Sequence, residues 1–256
     1  MNKPLSILLA AGLVSAFVFS NADADANADT GSIEDALAHP DRSSEDLERD
    51  ARSHPASVLG FFTLEPGDVM LDLFAGGGYY SEIAGYVVGS TGKVYAHNNA
   101  AYLEFAGQAL EERLAGNRLA HVERYDRELD AIDLADDSVD LLLMVMTYHD
   151  LYYKTDDWDL DAEKFFATAH RVLKPGGVLG VVDHVAVAGS GSAAAQELHR
   201  IDARFARADI ESHGFEFTGE LDVLRNPDDQ LATSVFDESV SGKTDRFVYR
   251  FVEPGG

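Results

Sequence analysis

The chain has 256 residues, 46% hydrophobic and 25% charged, which suits one large globular domain with short additions. Its formal net charge is -25, from 20 basic and 45 acidic side chains, and this argues against nucleic acid or an anionic membrane as a partner. The absence of cysteine excludes disulfides, thiolate metal sites and cysteine nucleophiles.

The N-terminal segment has the pattern of a secretory signal peptide. Lys3 precedes an apolar run over residues 5–19, and Ser20 and Ala22 fit a small-x-Ala cleavage site. We therefore predict a cleaved signal peptide over residues 1–22 and a periplasmic or secreted protein without a membrane association after cleavage. An uncleaved membrane anchor is the alternative.

Three regions are predicted after the signal peptide. Residues 23–40 begin with a run of Asp, Ala and Asn without apolar periodicity, which predicts a disordered leader. Residues 41–64 contain a helix start at Ser43 and then several apolar side chains, which predicts a helical segment packed beside the next region. Residues 65–256 contain the patterns of a Rossmann-like domain, described next.

A short apolar strand followed by a glycine-rich turn organises this third region. Residues 69–73 predict a buried strand, and Gly76, Gly77 and Gly78 let the backbone turn sharply before a helix. Such a unit binds its ligand at the carboxyl ends of the strands. A nicotinamide dinucleotide is disfavoured, because Ser81 stands where that fingerprint needs its third glycine.

The rest of the region alternates strands with helices. Further strands are predicted at residues 93–97, 121–125, 139–146 and 178–182, and helices at residues 101–114, 158–173 and 196–213. The last two apolar segments, residues 215–224 and 244–252, have no helix pattern between them and are predicted to pair antiparallel. The expected fold class is α/β: a Rossmann-like, doubly wound, mostly parallel seven-stranded sheet with a C-terminal antiparallel hairpin.

Five motifs in this order resemble the class I S-adenosylmethionine-dependent methyltransferases. They lie at residues 72–78, 92–96, 134–140, 149–151 and 172–178, and the resemblance covers about residues 55–252. It is strongest to exported bacterial predicted methyltransferases of unknown substrate. The resemblance implies an enzyme that transfers a methyl group from S-adenosyl-L-methionine to a small-molecule acceptor.

The resemblance also implies which residues bind the cofactor. Asp72 would orient the glycine loop and the methionine amino group, and Asp126 would accept a hydrogen bond from the adenine amino group. Two positions depart from the family: Phe74 replaces the usual first glycine, and Asn98 replaces the acid that holds the ribose hydroxyls. The implied cofactor-binding residues are Asp72, Phe74, Gly76, Gly78, Asn98, Asp126 and Met144.

The catalytic candidates Tyr148, His149 and Asp150 follow the fourth predicted strand, at the reactive end of the cofactor. A hydroxyl acceptor needs a base, and the ordinary pKa of histidine, about 6.5, lies near working pH. His149 is therefore the candidate base. The alternative is a histidine that packs or positions without titrating.

A divalent metal is a less favoured expectation. Asp150, Asp183 and His184 resemble the magnesium ligands of the catechol-type O-methyltransferases, with His184 in place of an asparagine. Hydrogen-bonded loop caps are the favoured reading of these residues. His199 and Arg200 are expected on the solvated face of a helix.

The connection between the last two strands spans residues 225–243, which is long for a hairpin. Long ordered loops often form lids or binding loops. Arg225, Asn226, Phe236 and Lys243 could therefore line the acceptor pocket; a surface excursion is the alternative.

A second function stays open. The alternative is an exported Rossmann-like binding protein that has lost methyl transfer and binds another metabolite or a partner. The predicted export favours this alternative, since S-adenosylmethionine is made in the cytosol. The retained Asp72, Asp126 and His149, together with the glycine loop, favour the enzyme.

Overall fold

The computed structural model describes residues 31–255. The predicted signal peptide and the leader as far as residue 30 lie outside this range. Within residues 31–255, no helix combines the length and apolarity that crossing a membrane requires.

Three helices open the described chain: α1 (Ile33–Leu37), α2 (Ser44–Ser53) and α3 (Pro55–Phe61). The predicted leader is wrong from residue 31 onward. Helix α1 forms there because Ser32 and Asp35 make a capping box, and Ala36 is buried. Helices α2 and α3 lie within the segment predicted over residues 41–64.

A seven-stranded sheet follows, and it confirms the predicted fold class. Its strands are β1 (Val69–Leu73), β2 (Lys93–Asn98), β3 (Val122–Asp126), β4 (Val139–Val145), β7 (Leu173–His184), β8 (Glu216–Glu220) and β9 (Arg246–Val252). The spatial order is β3-β2-β1-β4-β7-β9-β8. The first five are parallel, and β9 pairs antiparallel with both β7 and β8, which confirms the terminal hairpin.

Helices connect and cover these strands: α4 (Tyr79–Val88), α5 (Ala100–Leu114), α6 (Ala162–Val172), α7 (Ala195–Leu198) and α8 (Ala203–Ser212). Alternate side chains of the strands enter two separate apolar clusters, so the sheet is buried on both faces. Val58 and Ile83 belong to one cluster, whereas Phe166 and Ile210 belong to the other. This arrangement leaves the carboxyl ends of the parallel strands as the place where polar groups can converge.

Two predicted helices differ from the structure. The one expected at residues 158–173 begins only at α6, because Trp158 belongs instead to a small hairpin of β5 (Lys154–Thr155) and β6 (Trp158–Asp159). The one expected at residues 196–213 divides into α7 and α8. It breaks because Arg200 turns inward to a buried ion pair with Asp229, while Asp202 caps α8. The expectation of a solvated Arg200 was therefore wrong.

Candidate active site

The glycine loop connects β1 to α4 and contains several residues with left-handed backbone conformations. Phe74, Gly76 and Gly78 have φ values of 56°, 58° and 78°. A Cβ at Gly78 would lie 2.9 Å from Leu110, so both conformation and space require glycine there. A Cβ at Gly76 would meet no atom within 4 Å, which leaves open space beside the loop backbone.

Asp72 lies buried near the end of β1, as the sequence predicts. Its carboxylate accepts a hydrogen bond of 2.6 Å from the Ser81 hydroxyl, at the start of α4. Burial raises the pKa of Asp72 to about 6. This carboxylate therefore holds the start of α4 against β1. A cation beside the loop would stabilise the ionised form of Asp72.

Asn98 has a different role from the one the resemblance implies. Its Oδ1 accepts a hydrogen bond of 2.9 Å from the Gly76 nitrogen, and its Nδ2 donates one of 3.0 Å to the Gly76 carbonyl. The side-chain amide is buried and thus holds the glycine loop to the end of β2. Binding a ribose through both amide groups would compete with these contacts.

Asp126, at the end of β3, offers an unused acceptor. Its Oδ2 accepts a hydrogen bond of 2.7 Å from Arg124 Nε. Its Oδ1 is buried and has no hydrogen-bond partner among the described residues. A buried acceptor without a donor is costly, so this oxygen fits a ligand group such as an exocyclic amine.

Phe74 places an aromatic ring above the strand ends. Its centroid lies 5.2 Å from that of His97, 5.1 Å from that of Tyr102 and 5.4 Å from that of Trp158. The ring is buried in this cluster, which fills space that a glycine at this position would leave open. Met144 is likewise fully buried, within β4 and paired with Leu73 and Val181 in the neighbouring strands, so the predicted cofactor contact lies in the core.

His149 lies between two carboxylates. Its Nδ1 is 2.8 Å from Asp183 Oδ1, its Nε2 is 3.2 Å from Asp150 Oδ1, and its backbone nitrogen donates to Asp183 Oδ2 at 2.7 Å. Burial opposes the charge on the imidazole, but the attraction of Asp183 and the hydrogen bonds to both aspartates raise its pKa to about 10. At neutral pH His149 carries a proton in this arrangement, so it is a cation rather than the free base that the sequence predicts.

Asp150 remains ionised beside it. Burial opposes its charge, but hydrogen bonds with His149 and His199 hold the pKa of Asp150 well below its usual range. The Tyr102 hydroxyl donates to Asp150 Oδ2 at 2.7 Å, and Trp158 Nε1 donates to the Asp150 carbonyl at 2.8 Å. Asp150 is therefore a well-positioned hydrogen-bond acceptor.

Tyr148 does not join these residues. Its side chain is fully buried, and its hydroxyl donates to Asp209 Oδ2 at 2.5 Å, on α8. Tyr148 packs in the core and joins β4 to α8, so its predicted catalytic position is wrong.

The set of residues able to hold a metal also differs from the predicted one. Asp183 is occupied by His149, and His184 Nδ1 lies 2.7 Å from the Thr244 hydroxyl. Burial lowers the pKa of His184 to about 3, so it is neutral. The potential ligand atoms that do lie together, within 4.8 Å of one another, belong to His149, Asp150 and His199.

A cavity of about 490 Å³ opens above the ends of β4 and β7. It is lined by Arg49, Arg52, Ser53, Ala101, Tyr102, Phe105, Met146, His149, Asp150, Tyr153, Trp158, His184, His199, Val235, Phe236, Ser241, Gly242, Thr244 and Arg246. It thus brings together two of the three predicted catalytic residues, His149 and Asp150. The predicted cofactor-binding residues lie outside its lining, beside the neighbouring strand ends.

Several lining residues escaped the sequence analysis. Arg49 and Arg52 are three positions apart on α2, and Arg246 begins β9. The sequence contains one signal that could have indicated them. Basic residues are few in this chain, yet Arg49 and Arg52 lie at helical spacing shortly before the glycine loop. Met146, not Met144, is the methionine that reaches the cavity.

The loop between β8 and β9 was predicted to line the pocket. Phe236 does so, and its ring centroid lies 4.8 Å from that of His199. Arg225 instead forms an ion pair of 2.8 Å with Asp245, and Asn226 donates to the Lys243 carbonyl. Of the four residues, Phe236 therefore lines the cavity, while the other three stabilise the loop itself.

Comparison with known proteins shows a family match over part of the chain. Residues 71–181 match the family model described as a methyltransferase domain. These residues are therefore similar to a methyltransferase domain. The match begins in β1 and ends in β7, so it spans the glycine loop and the strand ends described above.

Several solved structures share the fold of this chain. A SAM-dependent methyltransferase from Aquifex aeolicus is 24% identical with a TM-score of 0.56, over 77% of this chain and 88% of that one. An arsenic(III) S-adenosylmethionine methyltransferase from Chlamydomonas reinhardtii is 19% identical with a TM-score of 0.54, over 88% and 74%. A geranyl diphosphate methyltransferase in complex with SAM is 14% identical with a TM-score of 0.52, over 88% and 96%. The fold of these three proteins is therefore shared along most of the chain.

The residues of this structure fit S-adenosylmethionine at three points. Asp72 supplies a buried carboxylate next to the loop, Asp126 Oδ1 supplies an acceptor without a donor, and Gly76 leaves room beside the backbone. Asn98 and Phe74 are the two departures, because one is tied to the loop and the other is packed among aromatic rings.

Proposed function

We propose that this protein transfers a methyl group from S-adenosylmethionine to a small-molecule acceptor bound in the cavity above β4 and β7. The proposal rests on one observation: the predicted cofactor site and the cavity lie next to each other at the same edge of the sheet. The glycine loop with Asp72 and Asp126 lies at the ends of β1 and β3, and the cavity with His149 and Asp150 lies at the end of β4. In open α/β sheets, ligands bind in this crevice.

The cofactor, when bound, supplies an activated methyl group. The chain's own contribution is mainly positioning, since methyl transfer is an in-line displacement that depends on alignment. Asp72 would face the positive end of the cofactor, and Asp126 Oδ1 would accept a hydrogen bond from its adenine amine. The aromatic side chains of the cavity would exclude water from the acceptor.

Asp150 is the group we assign to the acceptor. Its carboxylate stays ionised and can accept a hydrogen bond from an acceptor hydroxyl or amine, in place of the one from Tyr102. His149, held as a cation between Asp150 and Asp183, fixes the orientation of Asp150. His149 can take up a proton itself only after losing the one it holds, so we assign it a positioning role.

A binding titration tests the proposal. We expect the protein to bind S-adenosylmethionine and S-adenosylhomocysteine in calorimetry, and we expect Asp72→Asn to weaken binding by about tenfold or more, because one charged contact is lost. Asp140→Asn is the matched control. Asp140 is an aspartate of the neighbouring strand β4, but it pairs with Lys174 near the amino end of that strand, so affinity should not change.

The titration also separates the two functions. Failure to bind either compound at millimolar concentration would remove the methyltransferase function and leave the alternative of a binding protein for another metabolite. Binding that Asp72→Asn leaves intact would place the cofactor elsewhere in the structure.

A further inference from the structure

The cavity is cationic although the chain is strongly acidic. The chain has 45 acidic and 20 basic side chains, yet three arginines line the cavity: Arg49, Arg52 and Arg246. Among the described residues that line it, Asp150 is the one acid. A concentration of guanidinium groups against such an excess of acid indicates selection for a negatively charged ligand.

Arg246 is the least expected of the three. It is only 8% exposed, and one of its terminal nitrogens donates to the Arg52 carbonyl at 2.7 Å. Its Nε is buried and has no hydrogen-bond partner, and no ion pair within residues 31–255 includes this side chain. Burial lowers the pKa of Arg246, and the like charges of Arg49 and Arg52 lower it further.

Other buried arginines in the same fold are paired. Arg200 is held by Asp229 through two nitrogens at 2.8 and 3.2 Å, and Arg42 is held by Asp50 at 2.6 and 2.8 Å. An unpaired buried charge is destabilising, and these bidentate contacts avoid that penalty. The Arg246 guanidinium therefore lacks the carboxylate partner that this fold supplies to its other buried arginines.

Arg49 and Arg52 extend the same cationic end of the cavity. They lie one helical turn apart on α2, and none of the ion pairs of the described chain includes either side chain. The Arg49 guanidinium lies 4.0 Å from the centroid of the Tyr79 ring. Both are therefore available to a ligand that enters from the solvent side.

Aromatic side chains form another part of the cavity wall. Tyr102, Phe105, Trp158 and Phe236 line it, and Phe105 and Phe236 are each 72% exposed. Exposed aromatic rings at the mouth of a cavity indicate an apolar ligand surface. The two walls together call for a ligand with an apolar body and an anionic group.

We propose that the cavity binds its ligand as an organic oxyanion, a carboxylate or phosphate on an apolar body, whose charged group pairs with Arg246 and Arg52. Resting on the proposed function, this ligand is the methyl acceptor: its anionic group lies against the arginines and its reacting atom lies toward Asp150. The arginines thus select the acceptor class, and the aromatic wall binds the apolar remainder.

Trp158 makes the test direct, because it is the only tryptophan of the chain and it lines the cavity. Its fluorescence would be followed during titration with hexanoate, hexyl phosphate and the neutral hexanol. We expect saturable changes with one or both anions, and binding of hexanol at least about tenfold weaker, because a contact to a charged group is lost. The affinity for hexanoate, compared with that for hexyl phosphate, shows whether the cavity prefers a carboxylate or a phosphate.

Variants locate the charged group. Arg52→Gln should weaken binding of the preferred anion by about tenfold, and Arg246→Gln by more, since Arg246 is the buried partner. Arg52 is exposed, so its replacement leaves the fold intact even if Arg246→Gln does not fold. Arg207→Gln is the control, because Arg207 lies over the Phe217 ring and outside this cavity.

Three outcomes would overturn the inference. Hexanol could bind as tightly as the anions, or Arg52→Gln could leave the affinity for the anions unchanged. Arg52→Gln could also weaken the binding of S-adenosylhomocysteine and not that of the anion. The last result would assign the arginine to the cofactor carboxylate. Anion binding in a protein that binds no S-adenosylhomocysteine would overturn the acceptor role, and the proposed function would fail separately in its own titration.

Discussion

The charge on His149 gives a quantitative prediction about stability. The folded protein holds the proton of His149 up to a pKa of about 10, whereas an unfolded chain releases it near pH 6.5. Because the folded pKa is raised, the stabilisation is complete below about pH 6.5 and is lost as the pH rises through about 10. Between these limits the folded state binds one proton more than the unfolded state.

The size of the effect follows from this one proton. The free energy of unfolding should fall by about 1.4 kcal/mol per pH unit, or roughly 2 kcal/mol between about pH 7.5 and about pH 9. Asp72, His97 and His184, with pKa values of about 6, about 4 and about 3, complete their titration below this window. His149 therefore dominates the buried contribution in the window.

Urea denaturation followed by circular dichroism at the two pH values measures the slope. His149→Gln should remove most of this pH dependence of the free energy of unfolding. His39→Gln should retain it, because His39 stacks on Tyr86 and is not part of the His149 site. An NMR titration of the His149 ring gives a second measurement and should show it protonated at about pH 8. A wild-type stability that is flat across the window, or a ring that titrates near pH 6.5, would refute the reasoning.

Two further predictions concern the loop and the N-terminus. Asn98→Ala removes both hydrogen bonds to Gly76 and should lower the free energy of unfolding by about 1–3 kcal/mol, measured by urea denaturation; an unchanged midpoint would mean that the glycine loop holds itself. We also propose that the protein is exported and cleaved after Ala22, so N-terminal sequencing of the product from a Gram-negative host should begin at residue 23, while an uncleaved chain in the membrane fraction would contradict this.

Local patterns in the sequence determined most of the architecture. Apolar runs form buried strands in an α/β sheet, and the glycines at residues 76–78 permit a sharp turn. These local features predicted strand, turn and helix without knowledge of distant contacts. The missing helix between the last two strands likewise predicted their antiparallel pairing. The chain order of these elements was enough to predict which strand ends would meet.

The chemistry at those strand ends depends on contacts that the local sequence does not contain. His149 was predicted as a base because its ordinary pKa suits one, but Asp183, 34 residues further along, makes it a cation. His199 and Arg200 were expected on a helix face, but Asp229 draws Arg200 inward and breaks the helix. In both cases an ion pair between distant residues outweighed the local pattern.

The cavity shows the same division most clearly. The sequence predicted a ligand site at the carboxyl edge of the sheet, because the strands and glycines are local features. Only the tertiary structure placed Arg52 from α2 against Arg246 from β9, 194 residues apart, and brought both into the cavity that Asp150 also lines. The charge of a cavity is a sum over side chains from distant segments, so it is decided when the sheet, the N-terminal helices and the last loop pack together.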